Sequence, residues 1–237
     1  MNFPEGLQFR LDSEVSSFLV NPDGYCSLTA IADLLQEIAW KHADSAHFGQ
    51  NLRDSNQIWI LSRLEIKVDQ FPKWGDRIQL FTGGRGADKL FAFREFLVRD
   101  QQDQVLVRGM SSWLLVNSES KRILKPESVL PSELFDPAEK PSWQPVKIIA
   151  SGVEMASETL RVRFSDLDLN YHVNNTSYIR WVENLLFDQG IKPTTLAINY
   201  LAECLVDDLV VITLFKNESG FVVEGKVGKK LVFTSKV

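Results

Sequence analysis

The chain has 237 residues, 44% of them hydrophobic, with 15 Phe and 6 Trp; this is material for one large domain or two of about 120 residues, not for a disordered chain. A formal net charge of −5 argues against nucleic acid as a partner, because phosphate binding needs basic stripes. No apolar run approaches the roughly 20 residues of a membrane span. Neither a secretory nor an organellar leader pattern opens the chain, and the two cysteines, Cys26 and Cys204, make no disulfide framework, so a reducing, bacterial cytoplasm is the expected home.

In chain order, a leading strand is followed by "SLTAIADLLQEIAWKHADSA", where Leu28, Ile31, Leu34, Leu35, Ile38 and Ala39 keep the three- and four-residue spacing of a helix and Ser27 suits the N-cap. His42 and His47, on and just past this helix, are expected at the surface. Strand-like runs follow: "QIWILSRLEIKV", "DRIQLFTGGRG", "LFAFREFLVRD" and "VLVRGMSSWLLVN", with "RDQQDQ" as a polar hairpin turn. "GGRG" at 83–86 lacks the Lys and the helix start of a phosphate loop and reads as a bulge or turn.

Lys125 to Pro145 holds five of the nine prolines, which break regular structure, so 125–146 reads as a linker between residues 1–124 and 147–237. Beyond it the order recurs. "TLRVRFSDLDL" alternates as a strand, and "NNTSYIRWVENLLFDQG" sets Tyr178, Trp181, Val182, Leu185 and Leu186 at helical spacing, with Gly190 as the stop. "TLAINYLAECLV", "DLVVITLFKN", "GFVVEGKV" and "KKLVFTSKV" are the later strands. The element order is duplicated, and the class is α+β: two long helices, each wrapped by a curled antiparallel sheet, with the helices segregated to one face.

"DLDLNYHVNN" holds the chemistry. If extended, it puts Asp166, Asp168, Asn170 and His172 on one side, since strand side chains repeat every two residues. "FSDLDLNYHVNNTSYIRWVE" with the downstream "NYLAEC" resembles the signature of acyl-ACP thioesterases, hydrolases that release fatty acids from acyl carrier protein. The resemblance implies a tandem (double) hot-dog fold: a non-catalytic first domain, the proline-rich connection and a catalytic second domain, acting as a monomeric pseudo-dimer or a homodimer. It implies Asp168, Asn170, His172 and Glu203 as the catalytic set, with Cys204 where many members carry a cysteine. No cofactor or metal is implied.

The residue types suit thioester hydrolysis. His172 changes charge near neutral pH and can move protons. Glu203 is expected in a partly apolar pocket, as a base toward water. Asn170 offers an amide N–H to the carbonyl oxygen or the nucleophile. Asp168, which cannot stabilise an oxyanion, is left to orient Asn170 or the backbone. Asn174 and Asn175 open the helix, whose free N–H groups face developing negative charge, although capping is the plainer role for both. Asp166 reads as a partner of the turn backbone. Cys204 and Glu203, adjacent in a strand, point to opposite faces, and a free cysteine in an apolar strand is commonly core.

The matching corner of the first half, "NPDGYCSL", has no histidine, and Phe71-Pro72 stands where the second half has Glu203-Cys204. Ile31, Leu34, Leu35, Ile38, Trp59 and Phe91 are candidates to line an acyl tunnel, against simple core filling. Arg161, Arg163, Arg180 and Lys192, with Lys229 and Lys230, are candidates to dock an acidic carrier protein, against a solvated face. Rival readings are an acyl-CoA thioesterase or dehydratase on the same scaffold and a non-catalytic acyl-binding protein. A metal hydrolase is disfavoured by the single histidine of the motif.

Overall fold

Leu28, Ile31, Leu35, Ile38 and Ala39 form the buried face of α1 (Leu28–Ser45) in a computed structural model, and Ser27 caps the helix by accepting the N–H of Ala30 at 2.9 Å. The structure describes residues 3–45, 55–128 and 139–237; His47 lies outside them. The chain divides into two compact units, Met1–Pro145 and Val146–Val237.

In the first unit β1 (Phe9–Glu14) precedes α1, and β2 (Gln57–Val68), β3 (Arg77–Asp88), β4 (Phe91–Arg99), β5 (Val105–Asn117) and β6 (Ile123–Leu124) follow. The strands pair antiparallel in the order β1-β3-β4-β5-β2, with β6 beside β5. The "GGRG" stretch is a bulge in β3, where the register shifts between Gly84 and Ala87. The Asp100 carboxylate makes the β4–β5 turn by accepting the N–H groups of Gln102 and Gln104 at 2.9 and 2.8 Å.

The second unit contains β7 (Val153–Arg161), α2 (Asn175–Asp188), β8 (Thr195–Tyr200), β9 (Leu209–Asn217), β10 (Gly220–Val227) and β11 (Lys230–Lys236). Its order, β7-β9-β10-β11-β8, repeats that of the first unit strand for strand. The chain is therefore α+β, with one long helix and an antiparallel sheet in each unit. Two expected strands are shorter than their alternating residues suggest: β7 stops at Arg161 and β8 at Tyr200. Both stops create the loops of the candidate site.

The end of the proline-rich segment is docked on the first unit rather than free. Glu139 pairs with Arg85 at 3.2 Å, Ser142 donates to Glu95 at 3.3 Å, the Trp143 ring lies under the Lys67 ammonium at 4.6 Å, and Arg63 donates to the Pro145 carbonyl at 2.8 Å. Residues 129–138 lie outside the described set.

His42 is not at the surface. It belongs to the buried face of α1, is 4% exposed, stacks on Phe9 at 5.3 Å, and faces the Arg94 guanidinium with Nδ1 3.0 Å from Nη1. Arg94 also donates to Thr82 at 3.3 Å, and among the described residues no carboxylate pairs with it. The α1 periodicity continues through position 42, so the helix turns this ring inward. Burial, reinforced by the Arg94 charge, lowers the His42 pKa from 6.5 to about 4, and burial draws Arg94 down to about 10.

A depressed histidine pKa leaves the unfolded chain holding more protons between 6.5 and about 4. The neutral ring's contribution is therefore complete above pH 6.5 and is lost as pH falls toward 4. Urea unfolding at pH 7 and 4.5 should show a loss of roughly 2–3 kcal/mol in the wild type that His42→Gln lacks.

Candidate active site

The site begins where β7 ends. A 3-10 turn, Phe164–Asp166, is held by the Asp166 carboxylate, which is 6% exposed. One carboxylate oxygen accepts the Arg163 N–H at 2.6 Å and the other accepts from Arg180 of α2 at 2.6 Å. The Asp166 carbonyl accepts the Asn174 N–H at 2.8 Å and the Ser177 hydroxyl at 3.0 Å. The start of the loop is thereby pinned to its end and to the helix.

Between these pins the chain is not extended. Leu167 and Val173 form an isolated bridge, and residues 168–172 turn between them. The Asp168 N–H donates to the His172 carbonyl at 2.8 Å, and the Tyr171 N–H to the Asp168 carbonyl at 3.1 Å. The Asp168 carboxylate accepts the N–H groups of Asn170 at 2.8 Å and His172 at 3.2 Å. Short acidic side chains compete in this way with strand pairing for the backbone, which overrides the alternation. Asp166 is thus buried below the turn and Asp168 is inside it. Asn170 lies at its exposed tip, and His172 is on the returning arm.

Glu203 arrives from the loop after β8. The Val173 N–H donates to the Cys204 carbonyl at 3.2 Å, laying the two loops side by side. The His172 Nε2 and a Glu203 carboxylate oxygen then stand 3.5 Å apart, with side chains 40% and 64% exposed. At that distance they touch without a short hydrogen bond. Glu203 projects toward solvent and not into the apolar pocket expected of it, because β8 has already ended and the chain turns outward at 201–203.

Cys204 points the other way and is fully buried. Its N–H donates to the Tyr178 hydroxyl at 3.2 Å. Burial raises the Cys204 thiol pKa, and the Tyr178 hydroxyl offsets only part of this. Tyr178 itself is raised by burial, and its ring sits against Trp181, Tyr200 and Phe233 at 5.0–5.7 Å. Tyr200 donates to the Asn175 carbonyl at 3.0 Å. These two phenols brace both loops. Helical spacing marks Tyr178 only as an apolar residue of the helix, although its hydroxyl signals the need for a polar partner.

Asn174 is the N-cap of α2, its side chain accepting the Thr176 N–H and hydroxyl, each at 3.2 Å, and Asn175 is the first helical residue. Of the cationic candidates, Arg161 is paired with Asp207 at 2.6 Å and Arg180 with Asp166; Arg161, Arg163 and Lys192 are all exposed residues. The three arginines line a groove of about 480 Å³ with Glu158, Phe187 and Asp188; His172 and Glu203 do not line it. In the first unit Ile31, Leu35 and Ile38 are closely packed at 0–2% exposure, whereas Leu34, Trp59 and Phe91 are half-buried. Among the described residues, no three His, Cys, Asp or Glu side chains converge as metal ligands.

The first unit contains the same corner with other side chains. A 3-10 turn at Ser17–Leu19 leads to a Val20–Cys26 bridge, the Asn21 N–H donates to the Tyr25 carbonyl at 2.8 Å, and the Cys26 N–H to the Pro72 carbonyl at 2.8 Å. Asn21, Gly24, Tyr25, Phe71 and Pro72 therefore occupy the places of Asp168, Tyr171, His172, Glu203 and Cys204.

The chain matches two family models, one in each half. Its residues 6–132 match the model of the acyl-ACP thioesterase N-terminal domain, and residues 150–228 that of the acyl-ACP thioesterase C-terminal domain. The chain belongs to the acyl-ACP thioesterase family. It is 31% identical to the chloroplastic dodecanoyl-[acyl-carrier-protein] hydrolase of Cinnamomum camphora, over 93% of this chain and 64% of that protein. It is 30% identical to the chloroplastic palmitoyl-acyl carrier protein thioesterase of Arabidopsis thaliana, over 87% and 54%. The chain thus spans between 54% and 64% of the length of these relatives. A crystal structure of an acyl-ACP thioesterase from Bacteroides thetaiotaomicron superposes with a TM-score of 0.84 at 27% identity, over 97% of this chain and 96% of that one. The 12:0-ACP thioesterase of Umbellularia californica shares the fold, with a TM-score of 0.83 at 22% identity over 99% and 97%.

Asp166 is the structural carboxylate of this family member's corner. Asp166→Ala should lower the unfolding free energy in urea by roughly 1–3 kcal/mol, because it removes the acceptor of both the Arg163 N–H and the partly exposed Arg180 guanidinium.

Proposed function

We propose that this protein hydrolyses thioesters of acyl carrier protein and releases free fatty acid, ending chain growth. The observation that carries the reading is the contact of His172 with Glu203 at a solvent-open corner, in a member of a thioesterase family. The two repeated units correspond, on this reading, to tandem hot-dog domains, a wall domain before the proline-rich connection and a catalytic domain after it. The surroundings are a bacterial cytoplasm.

In the reaction, a water beside Glu203 gives its proton to the carboxylate as its oxygen attacks the thioester carbon. The negative charge that develops on the carbonyl oxygen takes an N–H from the Asn170 amide, which makes no side-chain hydrogen bond among the described residues. Collapse of the tetrahedral intermediate breaks the carbon–sulfur bond, and the proton taken up by Glu203 passes through His172, 3.5 Å away, to the departing thiolate, which restores both side chains. Asp168 keeps His172 and Asn170 in place through their backbone N–H groups. Asn174 and Asn175 serve the helix start. Leu34, Trp59 and Phe91, the partly exposed members of the tunnel set, are the ones assigned to acyl contact. Docking of the acidic carrier falls to Arg161, Arg163 and Arg180, which line one groove, with Lys192 as a further exposed cation outside it.

A buried thiol with a raised pKa supplies little thiolate, and the thiolate is the nucleophilic form. That favours attack by water over an acyl-cysteine. His172→Ala and Glu203→Ala should each lower kcat by roughly a hundredfold or more with the fold intact. Cys204→Ala should stay within about tenfold of the wild type, and mass spectrometry during turnover should find no acyl adduct on Cys204. Acyl-ACP should be cleaved faster than the matching acyl-CoA; equal or better rates on acyl-CoA would assign the chain to that substrate class instead.

A further inference from the structure

The two corners share a backbone but differ at one position in a way that packing does not explain. The fourth turn residue has φ +81° at Gly24 in the first unit and φ +60° at Tyr171 in the second. Glycine takes this left-handed conformation freely, whereas a side chain with a Cβ meets the following carbonyl and is strained. A second matched pair shows how such a glycine is replaced without conflict: Gly75 at φ +83° corresponds to Asp207 at φ +72°, a short polar residue that tolerates this region. Among the described residues Tyr171 is the one aromatic with positive φ.

Among the described residues, no contact of the Tyr171 side chain repays this strain. The Tyr171 side chain is 75% exposed, and its hydroxyl and ring make no hydrogen bond or ring contact among the described residues. The turn closes through backbone groups and the Asp168 carboxylate, and a glycine closes it equally well in the first unit. Tyr171 stands directly before His172, and Leu169 on the same turn is 97% exposed. A strained residue whose side chain does no structural work, placed next to the reacting group, points to a functional contact.

We propose that Tyr171 is a substrate-binding residue whose ring receives the thioester-bearing pantetheine arm as it reaches His172 and Glu203. The assignment rests on the thioesterase reading. The arm offers two amides and a geminal dimethyl group to an aromatic face, and the phenol hydroxyl can hydrogen-bond an amide of the arm. Covering the arm also shields the otherwise open His172–Glu203 contact from bulk water.

The test uses a non-hydrolysable thioether analogue of acyl-ACP, titrated against the full chain and its Tyr171→Gly and Tyr171→Phe variants, with urea midpoints measured in parallel. Tyr171→Gly should weaken analogue binding about tenfold, leave the urea midpoint unchanged or raised, and raise KM for acyl-ACP far more than it lowers kcat. Tyr171→Phe should keep most of the affinity. Wild-type affinity in Tyr171→Gly overturns the proposal, as does a lowered urea midpoint, which would make the ring a structural brace. Failure of the wild type to hydrolyse acyl-ACP would overturn the thioesterase reading, and analogue binding would still decide the role of Tyr171.

Discussion

The meeting of His172 with Glu203 depends on a backbone clasp. The Val173 N–H donates to the Cys204 carbonyl at 3.2 Å, and that bond holds two loops, far apart in sequence, in one register. Once they are registered, the alternation of side-chain direction does the rest: Glu203 faces outward to His172 while Cys204 faces the core, where its N–H finds the Tyr178 hydroxyl. Asp168 makes the arrangement stiff, because one carboxylate oxygen accepts two N–H groups of the turn that carries the histidine. A site assembled from loops is in this way fixed by backbone bonds to a rigid helix and sheet.

The same clasp in the first unit, Cys26 to Pro72 at 2.8 Å, separates architecture from chemistry. Its corner keeps the bridge, the turn and the helix start, yet it presents Asn21, Tyr25 and Phe71, with the Tyr25 ring under the Lys73 ammonium at 5.2 Å. Its turn keeps one carboxylate, Asp23, which accepts the Tyr25 N–H at 3.2 Å, but no imidazole stands at the place of His172 and no carboxylate at that of Glu203. The contrast shows that one backbone carries two different sets of side chains, so the shared architecture does not dictate the residues at its corner. It also shows which side chains of the second corner the backbone does not require.

The two nearby aspartates divide their work by depth. Asp166 is buried and fully engaged with Arg163, Arg180 and the helix start, so its charge is consumed in holding the corner together. Arg180 was read in the sequence as a surface cation available to a carrier, and the structure pairs it with Asp166; nothing along the chain marks which carboxylate will lie within reach of it. His42 is a similar case. Its place in the α1 periodicity indicated the inward face, but ordinary histidine polarity suggested the surface, and burial against Phe9 and Arg94 won.

Much of this molecule was legible along the chain. Both long helices followed from apolar spacing, the repeat of element order from counting strands, and the corner from a histidine among short polar residues before a helix, because all of these are local patterns. The shape of residues 166–172 was not, because alternation predicts an extended strand while the Asp168 carboxylate competes for the same N–H groups. Likewise the exposure of Glu203, the pairing of Arg180 and the depth of His42 belong to contacts between segments distant in sequence. The sequence by itself determined which residue types could act and where the helices and strands form. Tertiary structure alone decided which of those residues meet, because a backbone clasp and the burial of each carboxylate are set by neighbours that the chain brings together only when folded.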